Sequence, residues 1–124
     1  TNDSVIQTTD LFPTLVELAG GDPADFEDLD GVSLLSTIRN NSELRRGKPI
    51  YGYRAYEDLY VSVREGDWKL LGYRSGRLSL YNVVEDRAEQ RDLADRHPEK
   101  VGELVEKLNA WETEMGVAQY SGMK

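Results

Sequence analysis

The sequence predicts an α+β fold, in which a four-stranded antiparallel sheet packs against a long C-terminal helix. Residues 61–71 form two runs of alternating apolar and polar residues around Gly66, the pattern of an antiparallel hairpin. Two further strand-like segments flank this hairpin at short spacing. After a charged stretch, apolar residues recur at helical spacing from Val101 to Met115. One face of the predicted sheet is fully apolar, so this helix is expected to cover it.

A first helix is predicted from Thr9 to Ala19. Thr9 or Asp10 can cap it, because a side-chain oxygen there accepts from the first free backbone N–H groups. Pro13 falls in the first turn, where its missing N–H costs least. Gly20-Gly21 ends the helix. Its apolar residues form two neighbouring stripes, which indicates burial on more than one side.

The loop that follows holds three aspartates, Asp25, Asp28 and Asp30. Such a cluster invites comparison with a calcium-binding EF-hand loop. If Gly31 occupies the sixth position of that loop, the first and twelfth positions fall on Phe26 and Thr37, which are the wrong residues. A solvated acidic turn is therefore favoured over a calcium site.

A short helix is predicted from Val32 to Ile38, and residues 39–48 form a polar linker. The four strands are predicted over Pro49–Ala55, Leu59–Arg64, Asp67–Tyr73 and Arg77–Val83. Their short connections favour antiparallel neighbours. Residues 84–96 are expected to be irregular. The terminal helix begins at His97-Pro98-Glu99 and ends at Gly116.

Composition restricts the possible functions. The chain has 124 residues and a formal net charge of −8, and its largest basic cluster is the pair Arg45-Arg46. Nucleic-acid-binding proteins normally present a basic surface, so no nucleic-acid partner is expected. No run approaches the ~20 apolar residues of a membrane span, and none is predicted. The chain has no cysteine, which excludes disulfides and cysteine nucleophiles within it.

Few residues indicate chemistry by themselves. His97 is the single histidine and lies at the predicted start of a helix, where a structural role is favoured. The glycines form no phosphate-binding loop, and no clustered metal-binding pattern occurs. Tyrosines concentrate around the predicted sheet, as strand propensity explains. A face that stacks against carbohydrate is the alternative explanation for these tyrosines.

Four stretches follow one another in an order that is typical of one enzyme family. Residues 10–15 read Asp-x-x-Pro-Thr-Leu, residues 30–34 read Asp-Gly-x-Ser-Leu, and residues 64–70 read Arg-x-Gly-x-Trp-Lys-Leu. The fourth stretch runs from Leu80-Tyr81-Asn82 to His97-Pro98-Glu99. Together they resemble the C-terminal end of the sulfatases, the formylglycine-dependent arylsulfatase-like enzymes. Four residues depart from the family pattern in ways that affect turns and leave the fold unchanged: Asn82, Val83, Arg87 and Asp92.

The resemblance implies a division of the chain. The helix from Thr9 to Ala19 is similar to the last helix of the large alkaline-phosphatase-like α/β catalytic domain. Residues 1–40 are therefore expected to be the tail end of that domain, and residues 41–124 the C-terminal subdomain. The sequence begins a few residues before a helical pattern, so we expect a preceding catalytic domain, absent here, as the partner of this piece.

The resemblance also implies what the chain lacks. Sulfatases use a formylglycine made within a Cys/Ser-x-Pro-x-Arg motif, and a calcium held by acidic residues and asparagine. Neither Cys nor Ser stands two residues before any of the four prolines, and no stretch matches the calcium ligands. The chain alone is therefore expected to have no catalytic residue, metal site or cofactor, and to be inactive. The longer parent is expected to use calcium and formylglycine, in a periplasmic, extracellular or lysosomal location.

The parent is expected to hydrolyse a sulfate ester on a carbohydrate. In the family, the C-terminal subdomain lies beside the active site, and the segment between the first two strands is the candidate substrate-binding element. Its candidate residues are Arg54, Tyr56 and Glu57. An Arg or Tyr there can hydrogen-bond a sugar hydroxyl or a sulfate oxygen, since a guanidinium can donate to a planar pair of oxygens. A solvated loop is the other interpretation of this segment.

Two alternatives to a sulfatase fragment stay open from the residues alone. One is an autonomous module that binds a glycan or a protein through its tyrosine-rich sheet. The other is a related phosphoesterase or phosphonate-type hydrolase, which the C-terminal motifs disfavour.

Overall fold

The computed structural model describes residues 1–54 and 60–117 and confirms the α+β fold. The chain forms two compact units, residues 1–47 and residues 48–124. The first unit is helical, and the second contains the sheet and the long helix. Within the described ranges, none of the helices is both long and apolar enough to cross a membrane.

The first unit begins with a 3-10 turn, Thr8–Asp10, that continues into α1, Leu11–Leu18. Gly20, with φ 87°, ends α1, and the Gly21 N–H donates to the carbonyl of Val16 (3.0 Å). This is the glycine-dependent helix end that the sequence predicts. A further 3-10 turn, Pro23–Asp25, and the short helix α2, Leu35–Asn40, complete the unit.

Asp10 is the polar centre of the first unit. Its carboxylate is fully buried. The Gln7 N–H donates to Oδ2 (2.7 Å), the Val32 N–H donates to Oδ1 (3.0 Å), and the Arg46 guanidinium forms an ion pair with Oδ2. The sequence identifies Asp10 only as a possible helix cap, whereas the structure shows it joining three segments that are distant in sequence.

Neighbouring contacts extend this network. The Thr14 hydroxyl donates to the carbonyl of Asp10 (2.6 Å) and accepts from the N–H of Leu34 (2.9 Å). These contacts hold residues 32–34 against the start of α1. The helix α2 begins at Leu35, with Leu34 as its N-cap, rather than at the predicted Val32.

The second unit contains one antiparallel sheet with strand order β1-β2-β3-β4, as predicted. The strands are β1 Ile50–Arg54, β2 Tyr60–Glu65, β3 Trp68–Tyr73 and β4 Leu78–Asn82. Glu65 pairs with Trp68, so the β2–β3 loop consists of two residues, Gly66 and Asp67. Gly66 has φ 56°, the positive value that such tight hairpins require.

The long helix α3, Pro98–Met115, packs on one face of this sheet. Gly116 ends it with φ 64°. At the margin of the core, the rings of Tyr51 and Trp111 stack with centroids 5.0 Å apart. The core consists of seven fully buried side chains: Val61, Val63, Leu70, Leu80, Leu104, Val105 and Leu108.

The irregular segment after β4 is bonded to that strand. The Leu93 N–H donates to the carbonyl of Leu80 (2.7 Å), and Asp92 Oδ1 accepts from the N–H groups of Leu80 and Ala94 (both 3.0 Å). Asn82 Oδ1 accepts from the N–H groups of Val84 and Glu85 (both 3.1 Å). In both cases a single side-chain oxygen, Oδ1, accepts both hydrogen bonds. Asp and Asn can therefore exchange here without changing the hydrogen bonds, which explains two departures from the family pattern.

Gly31 lies directly against the start of α1. A Cβ built on Gly31 would stand 2.1 Å from the carbonyl oxygen of Thr9 and 2.5 Å from its carbon. Both are backbone atoms, so no side-chain rotation relieves the clash. A Cβ on Gly47 meets nothing within 4 Å, and Gly47 is therefore a matched control.

Gly31→Ala is expected to destabilise the first unit by about 1–3 kcal/mol, because the backbone must shift to admit the methyl group. Both tryptophans lie in the second unit, so the measurement is amide hydrogen exchange of residues 1–47. Gly47→Ala should leave exchange nearly unchanged. Equal exchange in the two variants would contradict the close approach at Gly31.

Asp10→Asn is expected to destabilise the same unit by about 2–4 kcal/mol at neutral pH, since it removes the charge opposite Arg46. Burial acts to raise the pKa of Asp10. However, hydrogen bonds from Arg46, Gln7 and Val32 outweigh burial and hold the pKa below the ordinary 3.8. Asp10 therefore stabilises the fold fully above pH 3.8, and this contribution is lost as the pH falls through the lower, folded pKa.

Urea denaturation followed by the NMR signals of residues 1–47 measures this contribution. The stability difference between the wild type and Asp10→Asn should shrink as the pH falls below 3.8. Asp25→Asn, at an exposed aspartate of the same unit, is the control and should change little. A difference that stays constant with pH would show that the charge of Asp10 is not what stabilises the unit.

Candidate functional site

Arg54 is the one predicted substrate-binding residue that the structure describes. It is the last residue of β1, it pairs with Tyr60 across the sheet, and it is exposed. Tyr56 and Glu57 lie outside the described residues. The sequence-based site is therefore located only through Arg54, which stands where β1 ends and the candidate segment begins.

Arg54 belongs to the face of the sheet opposite α3. The strand register assigns Ile50, Gly52, Arg54, Ser62, Arg64, Lys69, Leu71, Tyr73, Ser79 and Tyr81 to this face. We call these residues the second sheet face. Its strand positions include three cations, Arg54, Arg64 and Lys69, and neither Asp nor Glu. This composition differs from that of the chain as a whole, whose net charge is −8.

The cations and aromatic rings of the second sheet face are neighbours. Arg64 pairs directly with Lys69, and Lys69 pairs directly with Tyr81, so their side chains stand side by side. At the other end of the strands, the guanidinium carbon of Arg77 lies 4.2 Å from the centre of the Tyr73 ring. Cations beside aromatic rings are groups suited to binding anions and sugar rings, and they are not a nucleophile with its base.

Local electrostatics at β4 keep one tyrosine neutral and one aspartate charged. Burial raises the pKa of Tyr81, so its phenol remains protonated at neutral pH. Burial also acts to raise the pKa of Asp92, but the N–H groups of Ala94 and Leu80 and the Ser79 hydroxyl stabilise the carboxylate and lower it. Asp92 thus acts as a charged acceptor for backbone N–H groups.

Lys69 and His97 have the structural surroundings that their positions predict. Lys69 points away from Trp68, as alternation requires, and its Nζ lies 2.6 Å from Glu89 Oε1. The His97 ring lies 5.0 Å from the Trp68 ring, and its Nδ1 lies 3.5 Å from Glu99 Oε1. His97 therefore packs at the start of α3 as a helix-entry residue.

The first unit exposes an extensive set of large apolar side chains. Phe12 and Phe26 form an edge-to-face pair with centroids 5.2 Å apart, and both are exposed. We call the whole set the apolar surface; its members are between 44% and 68% exposed, namely Ile6, Leu11, Phe12, Leu15, Leu18, Phe26 and Ile38. Large exposed apolar patches are typical of surfaces that contact another part of a protein or a partner.

The acidic loop offers no basis for a calcium site. Asp22 Oδ1 accepts from the N–H of Ala24 (2.9 Å), which is a local turn contact. In the part of the chain that the structure describes, no three His, Asp or Glu side chains come close enough to hold a metal ion. The residues present therefore do not fit the calcium that the family resemblance implies for the parent.

The sequence suggested a tyrosine-rich face that stacks against carbohydrate, but it did not point to Arg64 and Lys69 as part of that face. The signal was present, because alternation along β2 and β3 already directs Arg64 and Lys69 away from the apolar core. Only the register, however, shows that Arg64, Lys69 and Tyr81 stand in one row.

Two curated relatives are sulfatases. Arylsulfatase K of Mus musculus is 28% identical over 120 residues, which span 86% of this chain and 21% of the relative. A sulfatase of Formosa agariphila is 27% identical over 125 residues, 86% of this chain and 23% of the relative. The chain thus spans only about a fifth of the length of these relatives. No protein-family model matches the chain.

Solved structures share the fold. Ps i-CgsB has a TM-score of 0.73 at 24% identity, over 87% of this chain and 24% of its own. The yidJ protein of Bacteroides fragilis, provisionally named a sulfatase, has a TM-score of 0.72 at 16% identity, over 100% of this chain and 28% of its own. BT4656, solved with its substrate D-glucosamine-2-N,6-O-disulfate, has a TM-score of 0.66 at 20% identity, over 93% of this chain and 25% of its own. The chain is similar in sequence to part of these sulfatases and shares its fold with the solved structures, which supports its interpretation as a C-terminal sulfatase subdomain.

Proposed function

We propose that this chain is the C-terminal part of a longer sulfatase that hydrolyses a sulfate ester on a carbohydrate. The apolar surface of the first unit carries the proposal, because its side chains need a covering layer. The curated relatives are four to five times longer, as the chain spans 21% and 23% of them. The additional residues of a protein as long as these relatives would be numerous enough to cover the apolar surface. The proposed substrate class is supported by the likeness to BT4656, whose substrate is D-glucosamine-2-N,6-O-disulfate.

In this proposal, residues 1–40 are the end of the α/β catalytic domain and residues 41–124 are the C-terminal subdomain. The catalytic chemistry belongs to the upstream part. Formylglycine would supply the nucleophile there, and calcium would be held there. The role of this chain is to complete the core of the catalytic domain through α1 and to border the substrate pocket.

Arg54 is proposed to contact the substrate, together with Tyr56 and Glu57. Its support is position and chemistry: it is exposed at the end of β1, and it directly precedes the segment that the family resemblance implicates. A guanidinium can donate two parallel hydrogen bonds to a sulfate or to neighbouring sugar hydroxyls.

The exposed apolar surface disfavours the autonomous binding module. A module that works alone should bury its large apolar residues, as the second unit does around α3. The two possibilities also predict different behaviour of this surface when more of the protein is present, and this difference can be tested.

The double change Leu15→Ser and Leu18→Ser is expected to reduce binding of a hydrophobic dye by the 124-residue chain without lowering its stability, since both leucines are about 60% exposed. In the longer sulfatase the same change should cost about 2–5 kcal/mol, because the leucines would be buried. Val84→Ser, at a side chain that is 58% exposed in the second unit, is the control. A neutral effect of the double change in the longer protein would favour the module.

The decisive experiment extends the coding sequence upstream of Thr1 and assays the encoded protein. The expected result is a frame containing Cys/Ser-x-Pro-x-Arg and hydrolysis of a carbohydrate sulfate ester. Arg54→Ala in that protein should raise KM about tenfold or more with a smaller change in kcat, as loss of a charged substrate contact does. Arg96→Ala, at an exposed arginine before α3, should change neither. A start codon beside Thr1 would refute the fragment proposal.

A further inference from the structure

We propose that the second sheet face binds a sulfated carbohydrate chain through Arg64, Lys69 and Tyr81. The choice of ligand rests on the proposed function, whereas the binding surface is argued from the sheet itself. Arg64, Lys69 and Tyr81 occupy three adjacent strands in one row. A row across a sheet places its side chains at nearly constant spacing of about 5 Å, so the three groups can meet one extended ligand together.

Charge is the first argument for an anionic ligand. The strand positions of the second sheet face hold Arg54, Arg64 and Lys69 and no carboxylate. On the helix side, Lys107 bridges Glu65 of β2 and Glu103 of α3. The carboxylates beside this face, Glu89 at Lys69 and Asp92 at Ser79, come from the segment after β4. The strand positions themselves carry an excess of cations in an acidic chain, which is the charge complementarity that a polyanion needs.

Shape is the second argument. Between the row of Arg64, Lys69 and Tyr81 and the row that contains Tyr73 lie mostly small side chains, Gly52, Ser62 and Ser79, with Leu71 among them. The two outer rows are four residues apart along the strands, about 13 Å. Gly52 and Ser62 are small and partly exposed, so the face is low over β1 and β2, whereas Leu71 is larger and Ser79 is buried, so this low region does not extend across β4.

The chemistry of the two rows matches sulfated sugars. Guanidinium and ammonium groups bind sulfate oxygens through charge-assisted hydrogen bonds. The ring of Tyr81, beside Lys69, offers an apolar face with a polar end. At the other row, Arg77 stacks on Tyr73 at 4.2 Å, which places a cation and a ring together again. Both rows thus pair a cation with an aromatic ring.

Glu89 provides an internal control of this site. Its Oε1 lies 2.6 Å from Lys69 Nζ, and the two side chains are 30% and 28% exposed. A sulfate that binds Lys69 must compete with Glu89. Removing the Glu89 charge should therefore strengthen binding, an effect that damage to the fold would not produce.

The test is isothermal titration of the 124-residue chain with a heparin octasaccharide and with its desulfated counterpart. The wild type should bind only the sulfated form. The double variant Arg64→Gln and Lys69→Gln should bind about tenfold more weakly or worse. Glu89→Gln should bind about two- to fivefold more tightly.

A matched control removes the same two charges elsewhere. Arg96→Gln with Lys100→Gln changes cations at the start of α3, and its affinity should stay within about twofold of the wild type. Equal weakening by both double variants, or equal binding of the sulfated and desulfated forms, would overturn the proposal.

The longer sulfatase provides a second measurement. If the isolated chain binds the octasaccharide but the longer protein does not, the face contacts another part of the protein, and the proposal is overturned. Failure of binding leaves the upstream coding sequence and sulfatase activity unaffected. The failure of this inference and the failure of the proposed function are therefore distinguishable.

Discussion

A four-stranded sheet has two faces, and the one long helix of this unit covers only one of them. Burial of seven large side chains between sheet and helix supplies the main stabilisation, since each buried aliphatic side chain contributes about 1.5–3 kcal/mol. Aromatic residues close the margins of this core, as Tyr51 does on Trp111. The alternation along the strands follows from this arrangement, because every second residue lies on the face that α3 does not cover, although Ser79 on that face is buried. That is why the second sheet face carries hydroxyls, cations and tyrosines.

The first unit follows the opposite principle, with polar groups inside and large apolar residues outside. Asp10 and Thr14 are buried and fully engaged with backbone N–H and C=O groups and with Arg46. Such a network fixes a loop precisely, because a missing partner would leave a buried charge unsatisfied. Two short helices cannot also enclose Phe12, Leu15 and Leu18. The motif residues Asp10 and Gly31 thus hold the segments of the first unit together. They do so although the large apolar side chains of this unit are exposed.

Local patterns in the sequence predicted most of the fold. The strand order, the turn at Gly66 and the helix ends at Gly20 and Gly116 each depend on alternation, spacing or a glycine conformation. The partners of Asp10 could not be predicted, since Val32 and Arg46 lie 22 and 36 residues away. The start of α2 was also predicted too early, and residues 39–48 were taken for a linker although Arg46 belongs to the network. The second sheet face required the register, which alternation alone does not fix.

The net charge determines how the second sheet face can act. A chain of charge −8 repels a polyanion at a distance, so the face cannot attract a sulfated glycan by long-range steering. Salt screens charges beyond about 8–10 Å, whereas Arg64 and Lys69 would act in direct contact. On the helix side, contacts with Lys100 and Lys107 lower the pKa of Glu103 to about 2. The proposed binding of a sulfated glycan to the second sheet face would therefore depend on direct contacts with Arg64 and Lys69, without help from long-range attraction.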